Sequence, residues 1–225
     1  MIALTAEMRA GYQRLWDTAT VPSNRAASVD IWARSSIANR PRYEAVGAPM
    51  GVPWHFIAAV HMLESGQNFR RHLHNGDPLS ARTVQVPAGR PVDGAPPFTW
   101  EQSAEDALRM RGVHQIKDWS VPGLLFQLEG YNGWGYRKFH PETLSPYLWS
   151  FTNHYVSGKY VADGAWDPAA VSAQCGGAAL IQRLLDEKGG ALGQAPVVPA
   201  PGQQEPLSES DRLNDAEMAR LHGVA

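Results

Sequence analysis

The chain is poor in cysteine, and this limits the covalent and metal chemistry open to it. Cys175 is the single cysteine among 225 residues. An internal disulfide and every multi-cysteine metal site are therefore excluded. The surrounding Gln174-Cys175-Gly176-Gly177 leaves a thiol nucleophile as one interpretation, but we favour a small thiol buried at the tight start of a helix.

Long apolar runs and a strong charge of one sign are also missing. No segment approaches the ~18 to 20 apolar residues of a membrane-spanning helix, so we expect no membrane-spanning segment. The formal net charge is -2, and the basic residues are scattered between acids, which argues against nucleic acid as a partner. The N-terminal stretch reaches Glu7 before any apolar core of signal-peptide length, so we also expect no secretory signal.

Apolar residues recur mostly with the 3.6-residue period of helices, which predicts a mainly α fold. Thr5 is a candidate N-cap, Pro53 suits the first turn of a helix, and Thr99 with Gln102 has the order of a capping box. The predicted helices span residues 5–19, 24–40, 53–65, 99–110, 121–131, 142–157 and 168–187. Pro41 is expected to end the second of them.

An irregular stretch lies between the third and fourth predicted helices, at residues 73–91. Asn75-Gly76 and Asp77-Pro78 are turn sequences, and residues 83–86 alternate as a short β-strand does. We therefore expect a short β-hairpin or an irregular loop after the third helix. Catalytic side chains are frequent on long polar loops that a rigid scaffold holds.

Composition divides the chain into three parts. Residues 1–188 carry the helical pattern and are long enough for one well-buried domain. Residues 189–206 are rich in proline and glycine, which predicts a linker. Residues 207–225 predict a short helical or disordered tail, because a helix of ~14 residues is only marginally stable alone.

Glu64 is the strongest candidate for chemistry. It stands at the end of the apolar segment that begins at Pro53, and no later charge in that segment partners it. A carboxyl in the buried last turn of a helix that breaks at Gly66 should be partly desolvated, so its pKa should rise. A carboxyl that holds its proton at neutral pH is suited to act as a general acid. The competing interpretation is a solvated glutamate at a helix end.

Three further side chains compete for roles beside this acid. Asp77 and Thr83 lie six positions apart on the following loop, and each also has an ordinary role, as a turn residue and a strand residue. Glu129 could be a second acid. We expect instead that it is a buried partner of Arg137 or of a backbone amide.

Residues 127–137 mix aromatic rings, glycines and amides. This composition suits stacking on sugar faces and bonding to their hydroxyl or N-acetyl groups. Tyr131, Asn132 and Trp134 are the predicted substrate-binding residues there, and Ser65 joins them from the end of the third helix. Core packing is the competing role, above all for Trp134.

The order Glu64, Asp77, Thr83 resembles the catalytic Glu, Asp and Thr of phage-type lysozymes, in which a β-hairpin follows the catalytic helix. The step from Asp77 to Thr83 matches that pattern, whereas the gap from Glu64 to Asp77 is longer than is usual there. Glu64-Ser65 also resembles the Glu-Ser of soluble lytic transglycosylases and goose-type lysozymes. Tyr131-Asn132-Gly133 resembles their Tyr-Asn-Ala-Gly segment.

Four longer strings resemble a bacterial and prophage group known as lysozyme family proteins. They are residues 72–79, 81–84, 129–136 and 145–150. The resemblance covers about residues 5–187 of the chain. It implies a lysozyme-like helical domain.

The resemblance also implies a muramidase, which cleaves the β-1,4 bond between N-acetylmuramic acid and N-acetylglucosamine in peptidoglycan. We expect it to act as a monomer without a metal or other cofactor. Glu64 would donate a proton to the bridging oxygen, Asp77 would activate or orient water, and Thr83 would hold that water. If Asp77 points away, a lytic transglycosylase that uses Glu64 alone is the better account.

Two other classes stay open. A zinc-dependent amidase or peptidase could use His61, Glu64, His72 and His74, although no His-Glu-x-x-His string is present. A non-catalytic peptidoglycan-binding protein could keep the lysozyme shape. Without an export signal, the protein would reach the cell wall through a holin-type pore as a phage endolysin, or as a secreted antibacterial effector.

Overall fold

The computed structural model describes residues 2–162 and 164–186, and it confirms the mainly α fold. An irregular segment of the kind expected follows the helix that carries Glu64. The elements in chain order are α1 (Ala6–Thr18), α2 (Ser23–Ala38), α3 (Arg40–Gly47), a 3-10 turn (Ala48–Met50), α4 (Trp54–Ser65), α5 (Trp100–Met110), a second 3-10 turn (Val113–Gln115), α6 (Val121–Asn132), α7 (Gly135–Phe139), α8 (Pro146–Trp149), β1 (Lys159–Ala162), β2 (Ala165–Asp167) and α9 (Gly177–Asp186).

The central element is α4. Every residue from Phe56 to Leu63 is buried, and α2, α3, α6 and α9 pack around this helix. Burial of a side chain such as Ile57 or Leu63 stabilises the fold by ~1.5–3 kcal/mol, so α4 is held firmly along its length. Glu64 follows directly and therefore lies at the edge of a rigid apolar core.

The predicted helix starts at Thr5 and Thr99 are confirmed. The Thr5 side chain accepts a hydrogen bond from the Met8 amide at 3.1 Å. Thr99 and Gln102 form the reciprocal capping box, with each side chain accepting from the other residue's amide. Pro53 stands immediately before α4 as its N-cap residue.

The second predicted helix breaks earlier than expected, and a further helix begins at once. Asn39 ends α2, and Pro41 lies in the first turn of α3 instead of terminating a helix. Proline has no amide hydrogen to donate, so it is tolerated where the first amides of a helix lack partners. The buried Tyr43 then anchors α3 to the core.

The predicted helices at 142–157 and 168–187 are shorter than expected. After α8, Ser150 takes an extended conformation and Phe151 a positive φ of 64°, which no helix continues through. The later helix begins only at Gly177. Gly176 lies against the end of α8, where an added Cβ would be 2.4 Å from the Leu148 carbonyl oxygen, and its amide donates to Ser150.

Residues 83–86 do not form the predicted strand. The Asp77 carboxylate accepts the amides of Val84 and Gln85, and the Thr83 hydroxyl bonds to the backbone of residues 87 and 90. Side chains thus bond to backbone groups that would otherwise have paired with a neighbouring strand. The strand prediction was wrong for this reason.

The described strands lie later in the chain. β1 and β2 pair antiparallel, with Lys159 opposite Asp167 and Tyr160 opposite Trp166. Tyr136 and His140 pack against this hairpin, and the His140 ring stacks on Trp166 at 3.6 Å between ring centroids. The hairpin therefore has a small aromatic cluster of its own.

Among residues 2–162 and 164–186, no single helix is long and apolar enough to cross a membrane. The segment Arg40–Met50 and α4 are long and apolar enough only when taken together, and the two are bent by 116° relative to each other. The predicted linker at 189–206 and tail at 207–225 lie outside the described residues.

Candidate active site

The end of α4 is closed by backbone geometry that fixes the position of Glu64. Gly66 and Gln67 both have positive φ, of 59° and 53°, and their amides bond to the carbonyls of Met62 and His61 at 3.1 and 3.0 Å. Such a left-handed turn satisfies the last free carbonyls of a helix. The Gln174 side chain donates to the Leu63 carbonyl at 2.6 Å, so a distant segment also secures this turn.

The Glu64 carboxyl is half-buried and has one hydroxyl donor. The Tyr147 hydroxyl, on α8, donates to Oε1 of Glu64 at 2.8 Å. Burial disfavours the charged carboxylate and raises the pKa of Glu64 from 4.5 to about 7, against the opposing effects of the Tyr147 hydrogen bond and the positive charge of Arg111. The desolvation expected from the apolar segment is therefore present, and about half of the carboxyl groups keep their proton at pH 7.

The loop after α4 folds back onto this helix end. Gly76 has a φ of 77°, and a Cβ at this position would lie 3.2 Å from the Glu64 carbonyl oxygen. Only a glycine combines this conformation with so close an approach. Asp77 follows directly, so the loop backbone returns to the end of α4 immediately before this residue.

Asp77 organises the loop through one of its oxygens. Its Oδ2 accepts the Val84 amide at 2.8 Å, the Gln85 amide at 3.1 Å and the Asn75 side-chain amide at 3.1 Å. The other oxygen, Oδ1, accepts no hydrogen bond from the described parts of the chain. One oxygen of the carboxylate thus shapes the loop, and the other is available to a water or a ligand.

Thr83 is buried and its hydroxyl is used within the loop. It donates to the Pro87 carbonyl at 2.5 Å and accepts the Arg90 amide at 2.9 Å. The backbone of Thr83 also bonds to Arg90 and Gly89. These contacts give Thr83 a role in closing residues 83–90 into a compact turn. The predicted role in holding a catalytic water stays untested.

Ser65 is buried as well, next to the acid. Its hydroxyl donates back to the His61 carbonyl at 3.3 Å, one helical turn earlier. Its exposed fraction is 7%, which leaves little of the side chain to meet a ligand. The position is that of a helix residue that satisfies its own polar group, and the predicted substrate contact stays a prediction.

Two histidines fasten the loop to α5. The Ser103 hydroxyl lies 2.8 Å from Nδ1 of His72 and 3.3 Å from Nδ1 of His74. His72 Nε2 bonds to the Ala81 carbonyl, and His74 Nε2 bonds to Asp106 at 2.7 Å. Burial lowers the pKa of His74 to about 4, so the His74 imidazole is neutral near neutral pH.

The same contacts bear on the zinc alternative. Both ring nitrogens of His72 and of His74 already have partners. His61 is fully buried, with its pKa lowered to about 3 by desolvation and its Nδ1 bonded to Tyr43. Over residues 2–162 and 164–186, no group of three or more His, Cys, Asp or Glu side chains is arranged to hold a metal ion.

The predicted sugar-binding residues lie at the end of α6 and are mostly buried. Tyr131 and Asn132 are 5% and 8% exposed, and the guanidinium of Arg111 lies over the Tyr131 ring, 5.0 Å from its centroid. Trp134 folds back onto α6 and packs against Phe126, with 4.7 Å between ring centroids and 43° between ring planes. Trp134 therefore packs against the helix that precedes it, which is its competing role, and Tyr131 faces Arg111.

Glu129 is the buried partner of Arg137, as the sequence analysis expected. Both of its oxygens accept hydrogen bonds from the Arg137 guanidinium, at 2.9 and 2.7 Å, and the Tyr12 hydroxyl donates to it as well. Burial and the carboxylate raise the pKa of Tyr12 far above its ordinary value. A carboxylate so fully bonded joins α1 to α6 and has no free oxygen for chemistry.

Cys175 is also structural, in agreement with the favoured interpretation. It is 2% exposed at the approach to α9, and burial raises the pKa of its thiol well above the ordinary value. A thiol that stays protonated and out of reach is a poor nucleophile.

Sequence reasoning missed two residues of the site, Tyr147 and Arg111. Tyr147 lies in one of the four strings that carry the family resemblance, and this was the available signal for it. Arg111 is the C-cap residue of α5, immediately before Gly112, and nothing in its local sequence distinguishes it from other exposed cations. Both depend on tertiary packing to reach Glu64.

No protein-family model, no curated protein and no solved structure matches the chain. The chemistry of the site is therefore the basis for assigning a function. The site offers a half-buried carboxyl with a pKa raised to about 7, a hydroxyl donor to it and a cation whose charge acts on it, and the loop that follows adds the carboxylate of Asp77. These groups are suited to protonating a leaving oxygen.

Proposed function

We propose that the protein is a peptidoglycan-cleaving glycosidase, a muramidase with Glu64 as its general acid. The observation that carries the proposal is the half-buried Glu64 carboxyl at the rigid end of α4, with a pKa raised to about 7. Such a carboxyl can deliver its proton to a glycosidic oxygen at neutral pH. The resemblance to lysozyme family proteins supplies the substrate, the β-1,4 bond between N-acetylmuramic acid and N-acetylglucosamine.

Asp77 is the proposed second carboxylate. Its Oδ1 is available to orient or activate a water, while Oδ2 fixes the loop through the amides of Val84 and Gln85. An inverting hydrolase of this kind needs its two carboxyl groups ~6.5–9.5 Å apart, with the water between them. Thr83 contributes to this arrangement at least by closing the loop that holds Asp77.

A lytic transglycosylase is the second candidate, and the hydrogen bonding of Asp77 favours it. A carboxylate that accepts three loop donors on one oxygen has a structural reason to be there without any part in catalysis. Glu64 would then first protonate the bridging oxygen and afterwards take the proton of the muramic acid C6 hydroxyl. That hydroxyl would close on C1 to give a 1,6-anhydro product without the entry of water.

The test compares wild type with Glu64→Gln and Glu105→Gln on purified peptidoglycan, by loss of turbidity and release of soluble fragments. The glutamine keeps an acceptor for Tyr147 but has no proton to give, so we expect activity to fall by about 10²- to 10⁴-fold. Glu105 is an exposed glutamate on α5 and serves as the matched control, with activity expected to be retained. Full activity of Glu64→Gln would refute the proposal.

The products separate the remaining classes. Mass spectrometry of the fragments would give reducing ends for a muramidase, anhydro ends for a transglycosylase and cut peptides for an amidase or peptidase. If wild type and Glu64→Gln are equally inactive while both sediment with the wall, the protein is a peptidoglycan-binding protein.

A further inference from the structure

Arg111 is the C-cap residue of α5, and its guanidinium lies over an aromatic ring. Its guanidinium carbon is 5.0 Å from the centroid of Tyr131, the residue at the end of α6. Its positive charge acts on the Glu64 carboxyl, which places the guanidinium within electrostatic range of that group. A cation stacked on a ring is oriented without using its hydrogen-bond donors.

Those donors are not used by the protein within the described ranges, 2–162 and 164–186. Arg111 forms no hydrogen bond or ion pair there through its side chain. Arg137 is the informative contrast, because it also lies over a tyrosine ring, that of Tyr12 at 5.4 Å. Arg137 has Glu129 as a bidentate partner, whereas no described residue provides such a carboxylate for Arg111.

Glu64 does not fill this role. It accepts from Tyr147, and the charge of Arg111 acts on it without an ion pair between the two among the described residues. A planar guanidinium whose charge reaches the proposed catalytic carboxyl is matched to a carboxylate brought by the ligand, because its fork of donors fits the two oxygens of that group.

We infer that Arg111, oriented on Tyr131, binds a carboxylate of the substrate and makes the site select acidic muramyl glycans over neutral N-acetylglucosamine polymers. This inference rests on the proposed function and extends it to specificity. The carboxylate is either the lactyl group of N-acetylmuramic acid, where no peptide is attached, or an acid of the attached stem peptide. Neutral chitin oligomers have the same ring chemistry without any carboxylate.

The experiment measures binding by calorimetry to the full chain carrying Glu64→Gln, which prevents turnover. The probes are peptidoglycan glycan oligomers stripped of their stems, the same oligomers with stems, and chitin oligomers of equal length. We expect Arg111→Gln to weaken binding of at least one carboxylate-bearing probe by roughly 10- to 100-fold, as for loss of a charge-assisted contact. Binding of the chitin oligomers should change by less than about twofold, since they have no acid to lose.

Two further variants serve as controls. Arg109→Gln removes an exposed cation two positions away and so controls for general attraction to an acidic polymer. This variant should bind every probe with the same affinity as the parent protein. Arg111→Lys keeps the charge without the fork, so its affinity should fall between those of the parent and Arg111→Gln. It also keeps the inference testable if Arg111→Gln does not fold.

The outcomes are distinct. An effect on the stripped probe identifies the lactyl carboxylate, and an effect on the stem-bearing probe alone identifies the stem. Equal weakening of the acidic and neutral probes, or no weakening of either, overturns the role of Arg111 and leaves the proposed function standing. Failure of the parent to bind any glycan overturns both.

Discussion

Replacing Glu64 by glutamine should make the protein more stable at alkaline pH, because the native site holds a carboxyl that resists ionisation. Burial raises the pKa of Glu64 from 4.5 to about 7. One pKa unit corresponds to about 1.4 kcal/mol, so the folded state disfavours the carboxylate by up to about 3 kcal/mol.

The sign follows from which state binds the proton. Below pH ~4.5 the carboxyl is neutral in both states and has no effect on the free energy of unfolding. Between that pH and the folded pKa of about 7, the unfolded chain ionises while the folded protein keeps its proton, so wild-type stability falls as pH rises. Above the folded pKa the loss is complete. Glutamine never ionises, so the Glu64→Gln variant does not lose this stability.

The assay is urea unfolding of wild type and Glu64→Gln at about pH 5 and about pH 8. Equal slopes of the free energy of unfolding against urea concentration would exclude a change in the unfolded state. The stability difference should grow by up to about 3 kcal/mol between the two conditions in favour of the variant, or roughly 10 °C in melting temperature. His61 and His74, whose pKa values are lowered to about 3 and about 4, affect both proteins equally.

Glu105→Gln is the control, since this exposed carboxyl pairs with Arg109 on the same helix. Its stability should follow that of wild type within about 0.5 kcal/mol at both pH values. A Glu64→Gln protein whose advantage does not grow with pH would refute the claim that burial perturbs this carboxyl. The proposed general acid would then lose its physical basis, whatever the enzymatic result.

The remaining predictions concern the neighbours of the acid. Tyr147→Phe removes a donor that favours the charged form, so the pKa of Glu64 should rise above about 7 and the alkaline limb of the pH–activity profile should move upward; a downward move would contradict the contact. Asp77→Asn should lower hydrolysis by about 10²-fold in a fragment-release assay, whereas an unchanged rate with anhydro products would assign the chemistry to Glu64 alone. Glu129→Gln should cost about 2 kcal/mol in urea unfolding because Arg137 loses its bidentate partner, and a folded variant that is inactive would contradict a structural role.

The sequence is sufficient to predict the central helix and its acid. The apolar run before Glu64 is long enough to be buried only as one core helix, and Gly66 supplies the left-handed residue that ends it. Those local facts already imply desolvation of the carboxyl. The predicted caps at Thr5 and Thr99 are similarly local, because each depends on residues within one helical turn.

The loop could not be predicted in the same way. Residues 83–86 have the composition of a strand, but Asp77, several positions earlier, captures the amides of Val84 and Gln85. Val84 is 79% exposed and the next residue, Gln85, is exposed as well, whereas successive residues of a strand with one buried face alternate between buried and exposed. Tertiary structure decides whether a side chain or a neighbouring strand bonds to these amides. The alternation of residue types in the sequence does not show which of the two will do so.

The residues that act on Glu64 could not be predicted from the sequence either. The Tyr147 hydroxyl reaches the acid from a helix of four residues, and Arg111 comes from the end of α5. Neither the spacing nor the residue type at these positions predicts that they converge on one carboxyl. Only tertiary packing brings them there, with α8 packed on α6 and α9 and these two helices packed on the central helix.

The hydroxyl of Ser103 has a consequence for how this sequence can change over time. It lies between His72 and His74, and His74 in turn meets Asp106, so these four positions cannot vary independently. Ser103→Ala would leave two buried imidazole nitrogens without a partner, whereas a compensating change at both histidines could restore the balance. In related sequences these positions should therefore change together, and the loop that bears Asp77 should be inherited as a unit with α5.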